Sequence, residues 1–254
     1  MSGHSKWKTN KSRKTAADAK KGALYTKVIR EITMAAREGG GNIETNGRLR
    51  TAVARAKEAN MPSDNVKTAI MRGTGELPGI TYESVVYEAY GSGGVAIMIE
   101  ALTDNKNRTT AELRNIMSKK NGNMAGAGSV AWMFTKKGYI LVEKTKVDEE
   151  KLMTIALDAG AGDFKSEDKN NYEIITSVQD LEKVKQALQE KGITSQDAQI
   201  TMIPSSTVKV TGGDAKQVLA LVEALEEHDD VQQVYANFDI PDEILEQLVS
   251  SEEL

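Results

Sequence analysis

The stretch YILVEKTKVDEEKLMTIALDAGAGDFKSEDKNNYEIITSVQDLEKVKQALQEKGITSQDAQITMI, residues 139–203, carries the pattern that decides the fold. Short β-branched and aliphatic runs alternate in it with longer segments whose apolar residues recur at helical spacing. The reading is strand (Tyr139–Val142), helix (Glu149–Ala159), strand near Asp163, strand (Tyr172–Ile175), helix (Asp180–Lys191) and strand (Ala198–Ile203). The order βαββαβ predicts a ferredoxin-like antiparallel sheet covered by two helices, a self-contained domain over residues 136–203.

On the N-terminal side, two strand-like runs, Tyr82–Tyr90 and Val95–Leu102, flank Gly91-Ser92-Gly93-Gly94 and read as a hairpin. A helix from Asn107 to Lys119 follows, then the glycine-rich loop GNMAGAG and SVAWMF, read as a buried strand. On the C-terminal side come a strand (Thr207–Val210), a helix (Asp214–Glu227) and a strand (Val231–Asn237). Three elements are too few for a domain, so residues 204–240 are expected to join 79–135 in a discontinuous α/β domain into which 136–203 is inserted. Residues 241–254 form a tail whose Ile244, Leu245 and Leu248 suit docking on the body or on a partner.

Before Pro78 the pattern is helical. Leu24, Val28, Ile32 and Ala36 recur at four-residue spacing from Ala16 to Glu38, and Gly39-Gly40-Gly41 supplies the stop. A second helix is expected from Glu44 to Ala59 with Leu49, Val53 and Ala56 inward, and a third from Ser63, its cap, with Val66 and Ile70 inward. Residues 1–15 lack hydrophobic periodicity and read as a basic arm that orders on an anionic partner. The fold class is therefore α+β multidomain: arm and helical bundle (1–78), then two α/β domains, one ferredoxin-like and inserted in the other.

Charge divides the chain unevenly. Of the 254 residues, 1–75 hold 16 Lys and Arg against 6 acids, a net +10, and the remainder holds 17 against 31, a net −14. Five of the basic residues and no acid lie in residues 1–15. This asymmetry predicts a polyanion partner at the basic end, the alternative being a solvated charged face. Cysteine is absent, which excludes disulfides, thiolate metal sites and cysteine nucleophiles. Only His4 and His228 offer imidazole, so a multi-histidine site is excluded and enzymatic readings lack a choice of base. No apolar run approaches a membrane span and the first residues are polar, so the expected location is the cytoplasm, without membrane contact.

The local motifs sort by chemistry. GHSKW (3–7) fails the nucleophile-elbow pattern at Trp7, so Ser5 is not a catalytic serine. Trp7 among Lys6, Lys8 and Lys11 reads either as an indole stacking on a base beside phosphate contacts or as an anchor to the protein's own body. Lys20 and Lys21 on the first helix and Arg48, Arg50 and Arg55 on the second extend the set of candidate phosphate contacts. Neither glycine cluster has nucleotide-loop spacing, and both read as turns. In DNKNRT (104–109) the amides and Asp104 suit capping, while Lys106 and Arg108 are candidate secondary contacts to phosphate or protein. The acids around His228 (Glu223, Glu226, Glu227, Asp229, Asp230) read as a solvated cluster, and neither a metal nor another cofactor is expected.

Several of these stretches together resemble the YebC family. GHSKW, Arg13-Lys14, AADAKKG (16–22), IREITMAAREGG (29–40), RLRTAVARAKEANMPSDNVKTAIMRGTGEL (48–77), YEAYGSGGVAIMIEALTDNKNR (87–108), TTAELR (109–114) and GSVAWMF (128–134) carry the resemblance, dense over 3–139 and looser beyond. It implies three domains, a helical bundle and two α/β domains of which one interrupts the other. It also implies a non-catalytic role, either DNA-binding transcriptional regulation or, as in a mitochondrial translational activator, action on ribosomes through ribosomal or transfer RNA. Lys6, Trp7, Lys8, Arg13 and Lys14 carry over as nucleic-acid contacts. Ser12 stands where many relatives have His, so no role for that imidazole transfers. The expectation is a non-enzymatic nucleic-acid-binding regulator of gene expression, DNA-binding first and ribosome-associated as the alternative.

Overall fold

The structure is a computed structural model that describes residues 18–241 and residue 244. Its elements in chain order are α1 (Asp18–Gly39), α2 (Gly47–Glu58), α3 (Ser63–Thr74), β1 (Glu83–Tyr90), β2 (Ala96–Thr103), α4 (Lys106–Lys119) and β3 (Asn123–Ala125). They continue as β4 (Phe134–Glu143), α5 (Glu149–Asp158), β5 (Asp163–Lys165), β6 (Asn171–Thr176), α6 (Leu181–Glu190) and β7 (Asp197–Pro204). The last are β8 (Val208–Lys209), α7 (Gly212–Glu227), β9 (Val231–Ala236) and β10 (Phe238–Asp239). The chain forms two compact units, of which one contains residues 18–129 and 211–235 and the other 130–210 and 236–241. No helix of the described residues is long and apolar enough to cross a membrane.

In the first unit, the helices close on Val28, Ile32, Ala35, Ala36, Leu49, Ala52, Val53, Ala56, Met61 and Ala69. Leu24, expected inward, is 45% exposed, so the buried stripe of α1 begins one turn later. Small residues let α1 and α3 approach closely: a Cβ added at Gly73 would stand 2.4 Å from the Thr33 carbonyl oxygen. Two expected helix starts are corrected. Asn46, not a residue near Glu44, caps α2, because its Oδ1 accepts from the Leu49 N–H at 3.0 Å. Its Nδ2 donates to the carbonyls of Ala35 and Gly40 at 2.7 and 2.8 Å, so one buried amide finishes α1 and begins α2. At α3 the capping residue is Pro62 and Ser63 is already helical; no side chain caps that helix.

The first sheet has the order β3-β1-β2-β9. The expected hairpin is present: β1 and β2 pair from Glu83↔Thr103 to Tyr90↔Ala96, and Gly93 and Gly94 turn with φ of 69° and 77°. The chain leaves this sheet after β3 and returns to it at β9, with the second sheet built in between.

That second sheet has the order β5-β6-β4-β7 with every pairing antiparallel, the ferredoxin-like arrangement read from the sequence. β4 is longer than expected because its polar first half, Thr135 to Gly138, pairs with β7 although it has no apolar pattern. Two expectations fail here. SVAWMF is not a buried strand: Ala131–Met133 form a single 3-10 turn, Trp132 is 71% exposed, and only Val130 and Phe134 turn inward. A short apolar run after a glycine loop does not distinguish strand from turn. The strand expected at Thr207–Val210 shortens to β8 and pairs in parallel with β10, not with the first sheet, through Val208 N–H to Asn237 O at 2.8 Å.

Replacing Asn46 with Ala is expected to lower stability by about 2 kcal/mol, at the upper end for a lost cap. Asn46→Asp should not rescue it, since a carboxylate keeps the acceptor but faces two carbonyls. Urea unfolding checks both; full stability of the Asp variant would contradict the dual role.

Candidate nucleic-acid interface

The basic residues of the first unit divide by what their charged ends touch. Arg30, on the buried side of α1, donates to Asp230 Oδ1 at 2.5 Å and to the Asp229 carbonyl at 2.7 Å, and lies 5.5 Å from the Tyr82 ring centre. Lys27, one turn earlier, donates to the Glu226 carbonyl at 2.5 Å. Arg108 reaches Asp230 Oδ2 at 2.9 Å and Asp104 at 2.8 Å. Thr109 adds a hydroxyl to Asp230 Oδ2 at 2.5 Å and another hydrogen bond to Thr103 at 2.8 Å.

Asp230 is 2% exposed, so it is no part of a solvated acidic cluster. Burial alone raises a carboxyl group, but the hydrogen bonds from Thr109 and Arg108 and the charge of Arg30 outweigh it and hold Asp230 below its ordinary range. The neighbouring His228 is committed as well. Its Nδ1 accepts from the Asp230 N–H at 3.1 Å, which leaves Nε2 to meet Glu112 at 2.8 Å. Glu112, His228 and Asp230 place their ligand atoms within 4.8 Å of one another. Two guanidinium groups already neutralise Asp230, so a metal ion would enter against them.

The candidates read from sequence fall into different places. Arg48 is paired with Glu31 at 2.8 Å and with Glu38, and these partners raise its pKa above that of a free guanidinium. Arg50 folds back on the carbonyls of Ile43 and Glu44, at 3.2 and 2.5 Å. Arg108 is tied to the buried carboxylate. Arg55 and Lys106 are exposed, as are Lys57 and Arg72, and their charged ends make no hydrogen bond or ion pair among the described residues. Asn105 does cap α4, accepting from the Arg108 N–H at 3.1 Å. Lys6, Trp7, Lys8, Lys11, Arg13 and Lys14 lie outside the described residues, and Lys20 and Lys21 lie on α1 with their side chains outside the description.

The profile of the TACO1/YebC protein N-terminal domain matches residues 5–76, and that of the TACO1/YebC second and third domain matches 82–238. The chain belongs to the TACO1/YebC family. A relative from Dictyoglomus turgidum is 57% identical over 98% of this chain and 100% of its own length. One from Thermotoga maritima is 54% identical over 98% of each chain. Both bear the description probable transcriptional regulatory protein. The crystal structure of a conserved hypothetical protein from Aquifex aeolicus superposes with a TM-score of 0.77 at 48% identity, covering 90% of this chain and 94% of that one. Family membership thus extends over the helices and both sheets, beyond the stretch where the sequence resemblance is densest.

The Arg30–Asp230–Arg108 cluster escaped sequence reading because its members lie 78 and 122 residues apart from one to the next and no local spacing marks them. Asp230→Asn is expected to cost about 3 kcal/mol at neutral pH, the scale of a broken buried ion pair. Because the folded-state pKa is depressed, this stability is fully present above the ordinary value of 3.8 and fades as pH falls through the folded value. Urea midpoints of the two proteins should therefore converge in acid; a difference constant from pH 7 to pH 2 would contradict the assignment.

Proposed function

We propose that the chain is a non-enzymatic regulator of gene expression that meets nucleic acid through its first 78 residues. The carrying observation is the net +10 of residues 1–75, from which the structured cations Arg30, Arg48 and Arg50 are withdrawn into internal contacts. What is left for phosphate is the arm (Lys6, Lys8, Lys11, Arg13, Lys14, with Trp7 to stack on a base), then Lys20, Lys21, Arg55 and Lys57, with Lys106 as a secondary contact. Arg48 and Arg108 act in this reading as structural residues. Residues 79–135 with 204–240, and the inserted 136–203, serve as the two further functional domains. Against catalysis stands the use of both His228 nitrogens inside the fold, which leaves that imidazole no free site for proton transfer.

DNA-binding transcriptional regulation is the first form of this reading, supported by the description its relatives bear. Contact with ribosomal or transfer RNA is the second, favoured by the net −14 outside the basic segment, which suits protein contacts on a ribonucleoprotein surface. Both place the protein in the cytoplasm.

Replacing Lys6, Lys8, Lys11, Arg13 and Lys14 together with Gln is expected to weaken polyanion binding and reduce the slope of log K against log salt by about 0.9 per lost contact on duplex DNA. Arg55→Ala should weaken binding further, whereas Arg48→Ala should lower stability and leave the slope unchanged. Co-sedimentation with ribosomes from a DNase-treated lysate separates the two forms. Arm-dependent migration with ribosomes supports the RNA form, and arm-dependent retention on promoter DNA without it supports the transcriptional one. Unchanged affinity and slope in the arm variant would overturn both.

A further inference from the structure

Trp132 is 71% exposed, the highest value among the large hydrophobic side chains of the described residues. An indole carries a large apolar surface, and leaving it in water forfeits the burial that would otherwise stabilise the fold. The backbone that presents it is fixed. Val130 before it is fully buried and Phe134 after it is 7% exposed, so both flanking side chains turn into the protein. The Met133 N–H donates to the Val130 carbonyl at 2.9 Å, and the Met133 carbonyl accepts from the Ser205 N–H at 2.7 Å, which ties the turn to the end of β7. Charge follows directly in the chain. Lys136 and Lys137, in the polar first half of β4, stand opposite Met202 and Thr201 of β7 and form no ion pair among the described residues. Successive residues of a strand leave on opposite faces, so positive charge stands on both sides of β4, four and five residues from the indole. In sequence these residues belong to a stretch, 113–142, that holds five basic residues and no acid inside a remainder of net −14.

We propose that the second unit carries a contact of its own for single-stranded nucleic acid, in which an unpaired base stacks on Trp132 while Lys136 and Lys137 meet the phosphates beside it. An aromatic face next to unpaired cations is the composition of single-strand sites, whereas protein–protein interfaces are depleted in lysine. The strand must be single because the bases of a duplex are already stacked on one another and offer an indole no free face. Lys136 lies at most about 14 Å of extended chain from Trp132, within the span of a few nucleotides. Stacking uses the π-face that every base has, so the contact tolerates any sequence. The inference takes the class of partner from the nucleic-acid reading above, but its residues are separate from the basic bundle and arm.

Short oligo(dT) and oligo(U) strands carrying one 5-bromouracil, bound to the full chain and irradiated, should crosslink at Trp132 in the tryptic peptide 121–136. Crosslinks from both strands assign the site to either sugar, and a crosslink from one alone assigns it to that nucleic acid. The crosslink should persist in the full chain with Lys6, Lys8, Lys11, Arg13 and Lys14 replaced by Gln. In that arm-neutralised chain Trp132→Ala should weaken oligonucleotide binding about tenfold, and Trp132→Tyr, which keeps an aromatic ring, should retain most of it. Lys136→Gln with Lys137→Gln should reduce the slope of log K against log salt by about 0.7 per lost contact. Crosslinks confined to residues 1–78, with affinity indifferent to Trp132, would overturn the proposal and uphold the nucleic-acid reading of the bundle and arm. A crosslink at Trp132 with duplex binding indifferent to the arm would uphold the site and overturn that reading.

Discussion

The buried carboxylate of Asp230 is the constraint on which the first unit depends. An ionised group at 2% exposure is tolerable only where opposite charge and hydrogen-bond donors surround it, and three side chains from two helices converge to supply them. Arg30 brings α1, and with it the bundle, to the turn between α7 and β9. Arg108 and Thr109 bring the first turn of α4 to the same point, where the Leu102 N–H also donates to the Asp230 carbonyl at 2.8 Å. Helix, sheet and the returning C-terminal segment are thus held by one acid. Its removal would leave two guanidinium groups facing each other.

The same arrangement decides which positive charges have a structural task. A count of Lys and Arg treats Arg30, Arg48, Arg55 and Arg108 alike, yet three of the four neutralise acids of their own unit. Screening by those acids leaves them little field to offer a polyanion. Among the described residues, Arg55 and Lys57 on the outer side of α2 have no such partners. A basic bundle in a chain of net charge −4 is therefore more selective in its contacts than its composition implies.

The ferredoxin-like sheet and the glycine hairpin were legible because both rest on local signals: alternation of period, strand length and a turn that needs glycine at positive φ. The inward positions of α2 were legible for the same reason. Asn46 was not, because its side chain serves two helices at once and only one of those roles is local. Trp132 departs from the burial its hydrophobic run implies, because the 3-10 turn at Ala131–Met133 turns it outward. Asp230 was the furthest out of reach: in sequence it stands in an acidic run of ordinary solvated appearance, and its partners lie more than a hundred residues away. Electrostatic constraints closed over such distances leave no periodicity to read.

Lysine footprinting tests most directly the division between structural and available cations. Reductive methylation of the full chain, with and without a short nucleic-acid duplex, reports each amine separately by mass spectrometry. The account predicts that the duplex protects Lys6, Lys8, Lys11, Lys14 and Lys57, and that the reactivity of Lys151, Lys183 and Lys191 in the second unit is unchanged. Protection confined to the second unit, with the N-terminal lysines as reactive as before, would contradict it.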